Sequence, residues 1–221
     1  MKFIRQNDPA WGKELLGHSA TTTIGRSGCL LVALTVAYNE LCSASHTPLS
    51  VQRLLLSKNP NSFKGSMLVL EIAANILGLV CLEKERLRSV PGDPRLPDRV
   101  LAGLGIDLPG DFAKRPQSPP LMINRTPLAK GVTVGGGAVT AGSAGLCILH
   151  VDHDKDTLGG DIDGDHFLNA LEWKNGRVEC LDPATGKVCY LDDRTLKGDS
   201  QWGAVTKHFT VVGTIPIRRA S

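Results

Sequence analysis

The sequence lacks an apolar run long enough to cross a membrane. Its two longest apolar stretches begin at Cys29 and Met67, and neither reaches the roughly 20 residues that a membrane span needs. The first residues become polar within a few positions, so the apolar core of a secretory signal peptide is also missing. We therefore expect no membrane span and a protein that is cytoplasmic as synthesised, with release by lysis or by a non-classical route left open.

Strong net charge and paired metal-binding cysteines are absent too. The formal net charge is only +3, and basic and aromatic residues do not alternate along a strand, which argues against a nucleic acid partner. None of the six cysteines belongs to a C-x-x-C pair, which argues against structural zinc. We expect the five cysteines other than Cys29 to be reduced core residues, with pairing of Cys180 and Cys189 left open for an oxidising environment.

One domain spanning residues 1–221 is the expected organisation. The chain is 42% hydrophobic and has no long linker, so it can bury one sizeable core. Helical patterns come first and strand-like runs follow Gly145, which predicts an α+β fold with an antiparallel sheet. Between them, the proline- and glycine-rich stretch at about 91–144 predicts an insertion or flap over the helical half.

Several segments carry the patterns of individual helices and strands. Thr47 and Ser50 are candidate caps of a short amphipathic helix, and residues 66–79 predict a second apolar helix ending at Gly78. Four later runs predict strands, at 145–151, 166–173, 177–182 and 208–217.

Cys29 stands where a glycine-rich turn runs directly into an apolar helical pattern. Gly25, Ser27 and Gly28 are turn formers, and from Leu30 onward apolar residues recur at three- and four-residue steps. Cys29 is therefore expected in the first helical turn, where free N–H groups and the helix dipole stabilise a thiolate. A nucleophile is one interpretation, and a small buried side chain that opens a core helix is the other.

Gln6, in the polar entry segment, is a candidate oxyanion donor. A side-chain amide can donate an N–H to an oxyanion, with the backbone N–H of the nucleophile as the second donor. The alternative interpretation is a solvated loop residue.

A thiolate hydrolase also needs a base and a group that orients it. The six candidate bases are His18, His46, His150, His153, His166 and His208. We favour His166, because it opens a predicted strand that leads through a tight hairpin to Asp182, which places an imidazole and a carboxylate on adjacent strands. A structural histidine is the alternative interpretation.

The hairpin register decides whether His166 and Asp182 share a face. With a two-residue turn at 175–176 and no irregularity, the two side chains point to opposite faces of the sheet. A three-residue loop at 174–176 with Gly176 at positive φ, or an equivalent bulge between the strands, makes them same-face diagonal neighbours about 7 to 8 Å apart. We predict the three-residue loop or the equivalent bulge.

The order of these residues resembles the papain-like peptidases related to the bacteriocin-processing, double-glycine leader peptidase family. The matching pieces are QNDPAWGKELLG, TIGRSGCLL, GDHF and LDPATG, at 6–17, 23–31, 164–167 and 181–186. The resemblance implies a papain-like fold, with the nucleophile helix packed on a C-terminal antiparallel sheet. It also implies Cys29 as the nucleophile, His166 as the base, Asp182 as the orienting group and Gln6 as the oxyanion donor.

The sequence departs from those relatives in three ways. Leu30 and Leu31 stand where Gly-Pro is common, and residues 91–144 have no counterpart in the resemblance. No transporter accompanies the domain in this chain, so the resemblance implies a free-standing cysteine peptidase or an enzyme acting on cell-wall peptides rather than leader processing coupled to export.

An acidic segment, Asp152 to Asp165, directly precedes His166. Its aspartates alternate at first as in a calcium loop, and five of them are candidate calcium ligands: Asp152, Asp154, Asp156, Asp161 and Asp163. The expected glycine and terminal glutamate are missing, so a solvated acidic loop is the alternative. The expected chemistry requires no cofactor in either case.

Three functions follow from these patterns. The leading prediction is hydrolysis of a peptide amide through an acyl-enzyme on Cys29, with a peptide or protein as substrate. The second takes peptidoglycan peptides as the substrate, and the third is a non-catalytic papain-like module that binds a peptide or a partner protein. The sequence does not predict an oligomeric state.

Overall fold

The computed structural model describes residues 4–81, 85–86, 145–153, 166–174, 177–192 and 197–220. The insertion predicted at 91–144 lies outside these residues. Four helices and ten strands are described: α1 Ile24–Ser27, α2 Cys29–Leu41, α3 Pro48–Lys58, α4 Leu70–Ile76, β1 Phe63–Lys64, β2 Met67–Leu68, β3 Leu79–Cys81, β4 Glu85–Arg86, β5 Gly145–His153, β6 His166–Lys174, β7 Arg177–Asp182, β8 Lys187–Asp192, β9 Lys197–Trp202 and β10 Val205–Arg219. A short 3₁₀ turn, Pro60–Ser62, follows α3.

Two of the predicted helix starts are confirmed. Helix α2 begins at Cys29, directly after Gly28. Helix α3 is preceded by Thr47, whose hydroxyl accepts a hydrogen bond from the Ser50 N–H at 3.1 Å, while the Ser50 hydroxyl accepts one from the Thr47 N–H at 2.9 Å. This reciprocal pair satisfies two backbone donors that a helix N-terminus would otherwise leave open.

The helix predicted over 66–79 is wrong at its start, whereas its termination by Gly78 is confirmed. Met67–Leu68 pairs as a strand with Phe63–Lys64, because Gly65 adopts φ of +61° and turns the chain tightly between them. The helix itself is only α4, and it ends before Gly78, which is at φ of +67° as a helix-terminating glycine often is. The next residues then join the large sheet as β3.

The C-terminal strands form a six-strand antiparallel β-barrel against which the N-terminal helices pack. The strand order is β10-β5-β6-β7-β8-β9, and β9 pairs back onto β10 to close the barrel. Strand β10 can serve both seams because it is 15 residues long and carries an irregularity between Val211 and Gly213. Strands β3 and β4 also pair with β10.

Helix α2 lies in the core, where it contacts β5, β6 and β10. One side of α2 packs in the main hydrophobic cluster with α3 and α4 and the ends of β5 and β10. Its Val32 and Val36 pack on the other side against Ile4 and Leu181. The side-chain amide of Asn169 on β6 donates to the Ala33 carbonyl at 3.0 Å, so the helix is also pinned to the barrel by a buried hydrogen bond. In the described part of the chain, no helix is long and apolar enough to cross a membrane.

The β6–β7 hairpin has a direct Lys174–Arg177 pairing at the turn and a bulge farther along β6. The three-residue loop is wrong, because Lys174 pairs directly with Arg177. The equivalent bulge is confirmed, because the register shifts between Ala170 and Glu172 and leaves Leu171 as an extra residue on β6. Asn169 then faces Leu181, which is the register that brings His166 and Asp182 to the same face. Gly176 lies outside the described residues.

Candidate active site

A cleft of about 380 Å³ lies between the start of α2 and one end of the barrel. Its lining combines the entry segment, helix α1, the first residue of α2, the β7–β8 turn and the ends of three strands: Gln6, Asn7, Gly25, Arg26, Ser27, Cys29, His153, His166, Ala184 and Trp202. Three of the four residues predicted to act in catalysis, namely Gln6, Cys29 and His166, therefore line one cleft. The fourth, Asp182, is fully buried beneath it.

Cys29 is placed at the cleft by the tight approach to α2. Gly28 immediately before it packs against the backbone of Ile24, where a Cβ atom would come within 2.6 Å of the Ile24 carbonyl oxygen. Since α2 begins at Cys29, the backbone N–H of Cys29 has no carbonyl one turn earlier in that helix to bond. A free N–H and a sulfur atom therefore share the same corner of the cleft.

His166 and Asp182 form a direct buried contact. His166 Nε2 lies 2.7 Å from Asp182 Oδ1, and both residues are almost completely inaccessible to solvent. An ionised carboxylate can only accept, so the hydrogen belongs to Nε2 and the other ring nitrogen, Nδ1, is left for Cys29. The predicted pairing of the histidine and the carboxylate is thus present in the structure.

His166 and Asp182 stabilise each other's charged forms. Burial by itself would lower the pKa of His166, but the hydrogen bonds and negative charges of Asp182 and Cys29 outweigh it and raise that pKa from 6.5 to about 10. Burial would likewise raise the pKa of Asp182, but the hydrogen bond and charge of His166 and the further donors on the carboxylate hold it below 3.8. An imidazolium is therefore favoured at neutral pH.

Four donors surround the Asp182 carboxylate. Oδ1 accepts from His166 and from the Ala184 backbone N–H at 2.8 Å. Oδ2 accepts from the Ser200 hydroxyl and from the Trp202 indole N–H, the latter at 2.9 Å. Sequence reasoning did not identify Ser200 and Trp202, because nothing in KGDSQW marks it as a strand that reaches the site.

Gln6 is buried, not solvated. Its backbone N–H donates to the Pro183 carbonyl at 2.7 Å, and its side-chain amide donates to the Gly25 carbonyl at 3.0 Å. Gly25 in turn packs closely on Gly12, where a Cβ atom would come within 2.6 Å of the Gly12 oxygen. An amide has two N–H groups, so Gln6 retains one beyond its bond to Gly25.

The other histidines occupy different environments, with one exception. His18 contacts the Pro60 carbonyl, His46 contacts Ser50, and His208 contacts Asp199, all away from the cleft. His150 is stacked on Phe167. His153 is the exception, because it lines the cleft with its ring centroid 5.2 Å from that of His166. No motif in the sequence distinguishes His153 from the other histidines.

The predicted calcium ligands fall mostly outside the described residues. Only Asp152 is described, as a half-buried residue near the end of β5, whereas Asp154, Asp156, Asp161 and Asp163 lie outside. Across the described ranges, no group of three or more His, Cys, Asp or Glu side chains is arranged to hold a metal ion. Calcium binding stays a prediction.

All six cysteines carry free thiols, and two of them are opposite neighbours. Cys180 on β7 pairs directly with Cys189 on β8, and both side chains are buried. The hydrogen bond with the neighbouring Cys189 thiol, together with burial, raises the pKa of Cys180, which keeps this thiol protonated. Such a thiol is a poor nucleophile, so its environment differs from that of Cys29 beside an imidazolium.

Comparison with known protein families, with curated proteins and with solved structures finds no match to this chain.

Proposed function

We propose that this protein is a papain-like cysteine peptidase that hydrolyses a peptide amide bond through a thioester on Cys29. The observation that carries the proposal is the His166–Asp182 hydrogen bond of 2.7 Å in the same cleft as the first residue of α2. A buried carboxylate on one ring nitrogen fixes the imidazole and directs the other nitrogen to the thiol.

The chemistry assigns one task to each group. Cys29 sulfur, as a thiolate, attacks the carbonyl carbon of the scissile amide, and the C–N bond breaks as the imidazolium of His166 gives its proton to the leaving amine. His166 then takes a proton from water, which attacks the thioester and releases the acid product and the Cys29 thiolate. Asp182 keeps the ring oriented and stabilises its charged form.

The oxyanion formed in both attacks would be held by two N–H groups. One is the backbone N–H of Cys29, which has no bond within α2, and the other is the second amide N–H of Gln6. The hydrogen bond to the Gly25 carbonyl orients the Gln6 amide, so the donor is ordered before the substrate binds.

Two other functions use the same cleft. The substrate peptide could belong to peptidoglycan, as in a phage or bacterial lysin, or the cleft could bind a peptide without cleaving it. A reactive Cys29 separates the two hydrolases from the binding module, and activity on cell-wall material separates the two hydrolases from each other.

The first experiment measures the reactivity of the thiols in the folded protein. Under limiting iodoacetamide at pH 7, mass spectrometry should find Cys29 alkylated far faster than the other five cysteines, which serve as internal controls. Alkylation of Cys29 no faster than that of the half-buried Cys42 and Cys81 contradicts the proposed nucleophile.

The second experiment measures hydrolysis. Purified protein and its Cys29→Ala variant are compared on a diverse peptide mixture and in a cell-wall zymogram. Cleavage of peptides by the wild type alone supports a general peptidase, and cleared cell wall supports the lysin alternative. Peptide binding without cleavage, by a protein whose Cys29 reacts no faster than its other cysteines, would point to the non-catalytic module.

A further inference from the structure

Strand β9 supplies two hydrogen-bond donors to the side of Asp182 that faces away from His166. The Ser200 hydroxyl and the Trp202 indole N–H both donate to Asp182 Oδ2, while His166 is bonded to Oδ1. Ser200 is almost fully buried, so its hydroxyl is committed to this contact and not to solvent.

We propose, on the basis of the function proposed above, that Ser200 and Trp202 are positioning residues that act on catalysis through Asp182. By holding Oδ2 they fix the plane of the carboxylate, and the fixed carboxylate sets the direction in which the His166 ring presents its second nitrogen to Cys29.

The geometry of a carboxylate explains why both oxygens must be held. The Asp182 side chain can rotate about its last bond, and that rotation is broad when nothing restrains it. Donors on Oδ1 alone would allow the plane to swing about the His166 contact. Donors on both oxygens remove this freedom and satisfy the lone pairs of a fully buried charge.

Trp202 has a second contact that Ser200 does not have. Its indole ring meets the His166 ring edge-on, with centroids 5.5 Å apart and planes at 71°. Trp202 lines the cleft, whereas Asp182 is fully buried behind it. The indole therefore separates the His166–Asp182 hydrogen bond from the water of the cleft, which strengthens that bond.

The alternation of β9 provides a matched control on the same strand. Ser200 and Trp202 point toward Asp182, whereas Gln201 between them points outward and bonds Gly203 and Thr206 on the exposed face of the β9–β10 hairpin. Gln201→Ala removes hydrogen bonds from the same strand without touching Asp182.

The experiment compares Ser200→Ala, Ser200→Thr and Trp202→Phe with Gln201→Ala. Trp202→Phe keeps an aromatic ring beside His166 but loses the N–H. Ser200→Thr keeps the hydroxyl, so it should restore what Ser200→Ala loses. The measurements are the alkylation rate of Cys29 at pH 6, the titration midpoint of His166 by NMR and, on a cleaved peptide, kcat and KM.

We expect Ser200→Ala and Trp202→Phe each to slow Cys29 alkylation by about tenfold, the size of one lost hydrogen bond to a charged group. The His166 midpoint should move to lower pH in both, since a loosely held carboxylate supports the imidazolium less well. On a cleaved peptide, kcat should fall while KM stays the same. A purely structural role would leave the His166 midpoint in place.

The positioning role is overturned if both variants match Gln201→Ala in the Cys29 rate and in the His166 midpoint. That result leaves the proposed peptidase intact as long as wild-type Cys29 is selectively alkylated. Conversely, an unreactive wild-type Cys29 removes the peptidase, while the His166 midpoint still tests the contact because it needs no reactivity. If Trp202→Phe does not fold, the Ser200→Ala and Ser200→Thr pair decides.

Discussion

His166 Nε2 lies 2.7 Å from Asp182 Oδ1, which joins the first residue of β6 to the last residue of β7. The contact depends on the extra residue at Leu171, because an uninterrupted pairing from Lys174 and Arg177 would turn the two side chains to opposite faces. A single bulge thus decides whether the imidazole has a carboxylate partner.

Asp182→Asn should destabilise the folded protein. Both carboxylate oxygens accept from donors, including the fixed N–H groups of Ala184 and Trp202, so one of these donors must face the amide nitrogen of asparagine. An unsatisfied buried donor costs about 1–3 kcal/mol. Urea unfolding at pH 6 measures this loss. The control is Asp199→Asn on β9, because Asp199 is exposed and its contact with His208 is a surface pair that contributes little. Equal stability of the two variants would contradict the four-donor arrangement.

The stability supplied by the His166–Asp182 pair should depend on pH in a defined window. The folded-state pKa of His166 is about 10, above 6.5, so its contribution is full below pH 6.5 and is lost as the pH rises toward 10. The pKa of Asp182 is lowered, so its contribution is present above pH 3.8 and is lost as the pH falls through the lowered value. The difference in unfolding free energy between wild type and His166→Gln should therefore be largest between about pH 4 and 6.5.

The same pair can be tested without unfolding the protein. Cys29 is one of the two groups that raise the pKa of His166, so in Cys29→Ala the NMR titration midpoint of the imidazole should lie at lower pH than in the wild type. Identical midpoints would show that the thiol does not interact with the ring.

The parts of the site that the sequence predicts are those with a local signal. Cys29 stands at a turn–helix junction, and His166 and Asp182 lie on runs with clear strand composition, so both their elements and their shared face could be predicted. The exact place of the bulge could not, because a bulge at the turn and one at Leu171 give the same register at His166.

The closure of the barrel, and the donors Ser200 and Trp202 on β9, have no local sequence pattern that predicts them. The inward positions of β9 are Gly198, Ser200 and Trp202, and Gly198 is required because a Cβ atom there would come within 2.5 Å of the Phe209 ring. These inward residues are small or polar, so β9 lacks the apolar–polar alternation that is typical of a strand. The sequence therefore predicts neither β9 nor the closure of the sheet into a barrel. The role of Ser200 and Trp202 follows only from the tertiary contact with Asp182.

Gln6→Ala should reduce turnover more than substrate affinity. An oxyanion donor acts mainly in the transition state, and its loss typically costs about 3 to 4 kcal/mol of barrier, so kcat should fall with KM unchanged. Gln52→Ala is the matched control, since Gln52 is also a buried glutamine bonded to backbone, at Leu15 and Gly17, but lies outside the cleft. An effect of Gln6→Ala on KM alone would assign Gln6 to substrate binding.

Calcium should raise the thermal midpoint if Asp152, Asp154 and Asp156 converge on one ion. A ligand that binds only the folded state stabilises it by mass action. The melt is recorded with calcium, with magnesium and with a chelator, for the wild type and for a variant with Asp152, Asp154 and Asp156 changed to Asn. A midpoint that does not respond to calcium or chelator favours the solvated acidic loop.

Arg26 should raise the rate at which Cys29 reacts with an anionic reagent relative to the rate with a neutral one. Among the described residues that line the cleft, Arg26 is the only arginine, lysine, aspartate or glutamate, and it is exposed on the last turn of α1, three positions before Cys29. Iodoacetate and iodoacetamide form a matched pair, because they attack the same sulfur and differ in one charge. The ratio of their rates at Cys29 therefore reports the electrostatic potential of the cleft.

Reversing the charge in Arg26→Glu should lower the iodoacetate-to-iodoacetamide ratio by about two- to fivefold, as expected for exposed charges. Arg53→Glu, an exposed arginine on α3 outside the cleft, makes the same change in net charge and should leave the ratio unchanged. The effect of Arg26 should shrink in 1 M salt, where the screening length falls to about 3 Å. If Arg26→Glu leaves the ratio at the wild-type value, the guanidinium does not contribute to the potential at Cys29, as expected when a carboxylate of the chain already neutralises it.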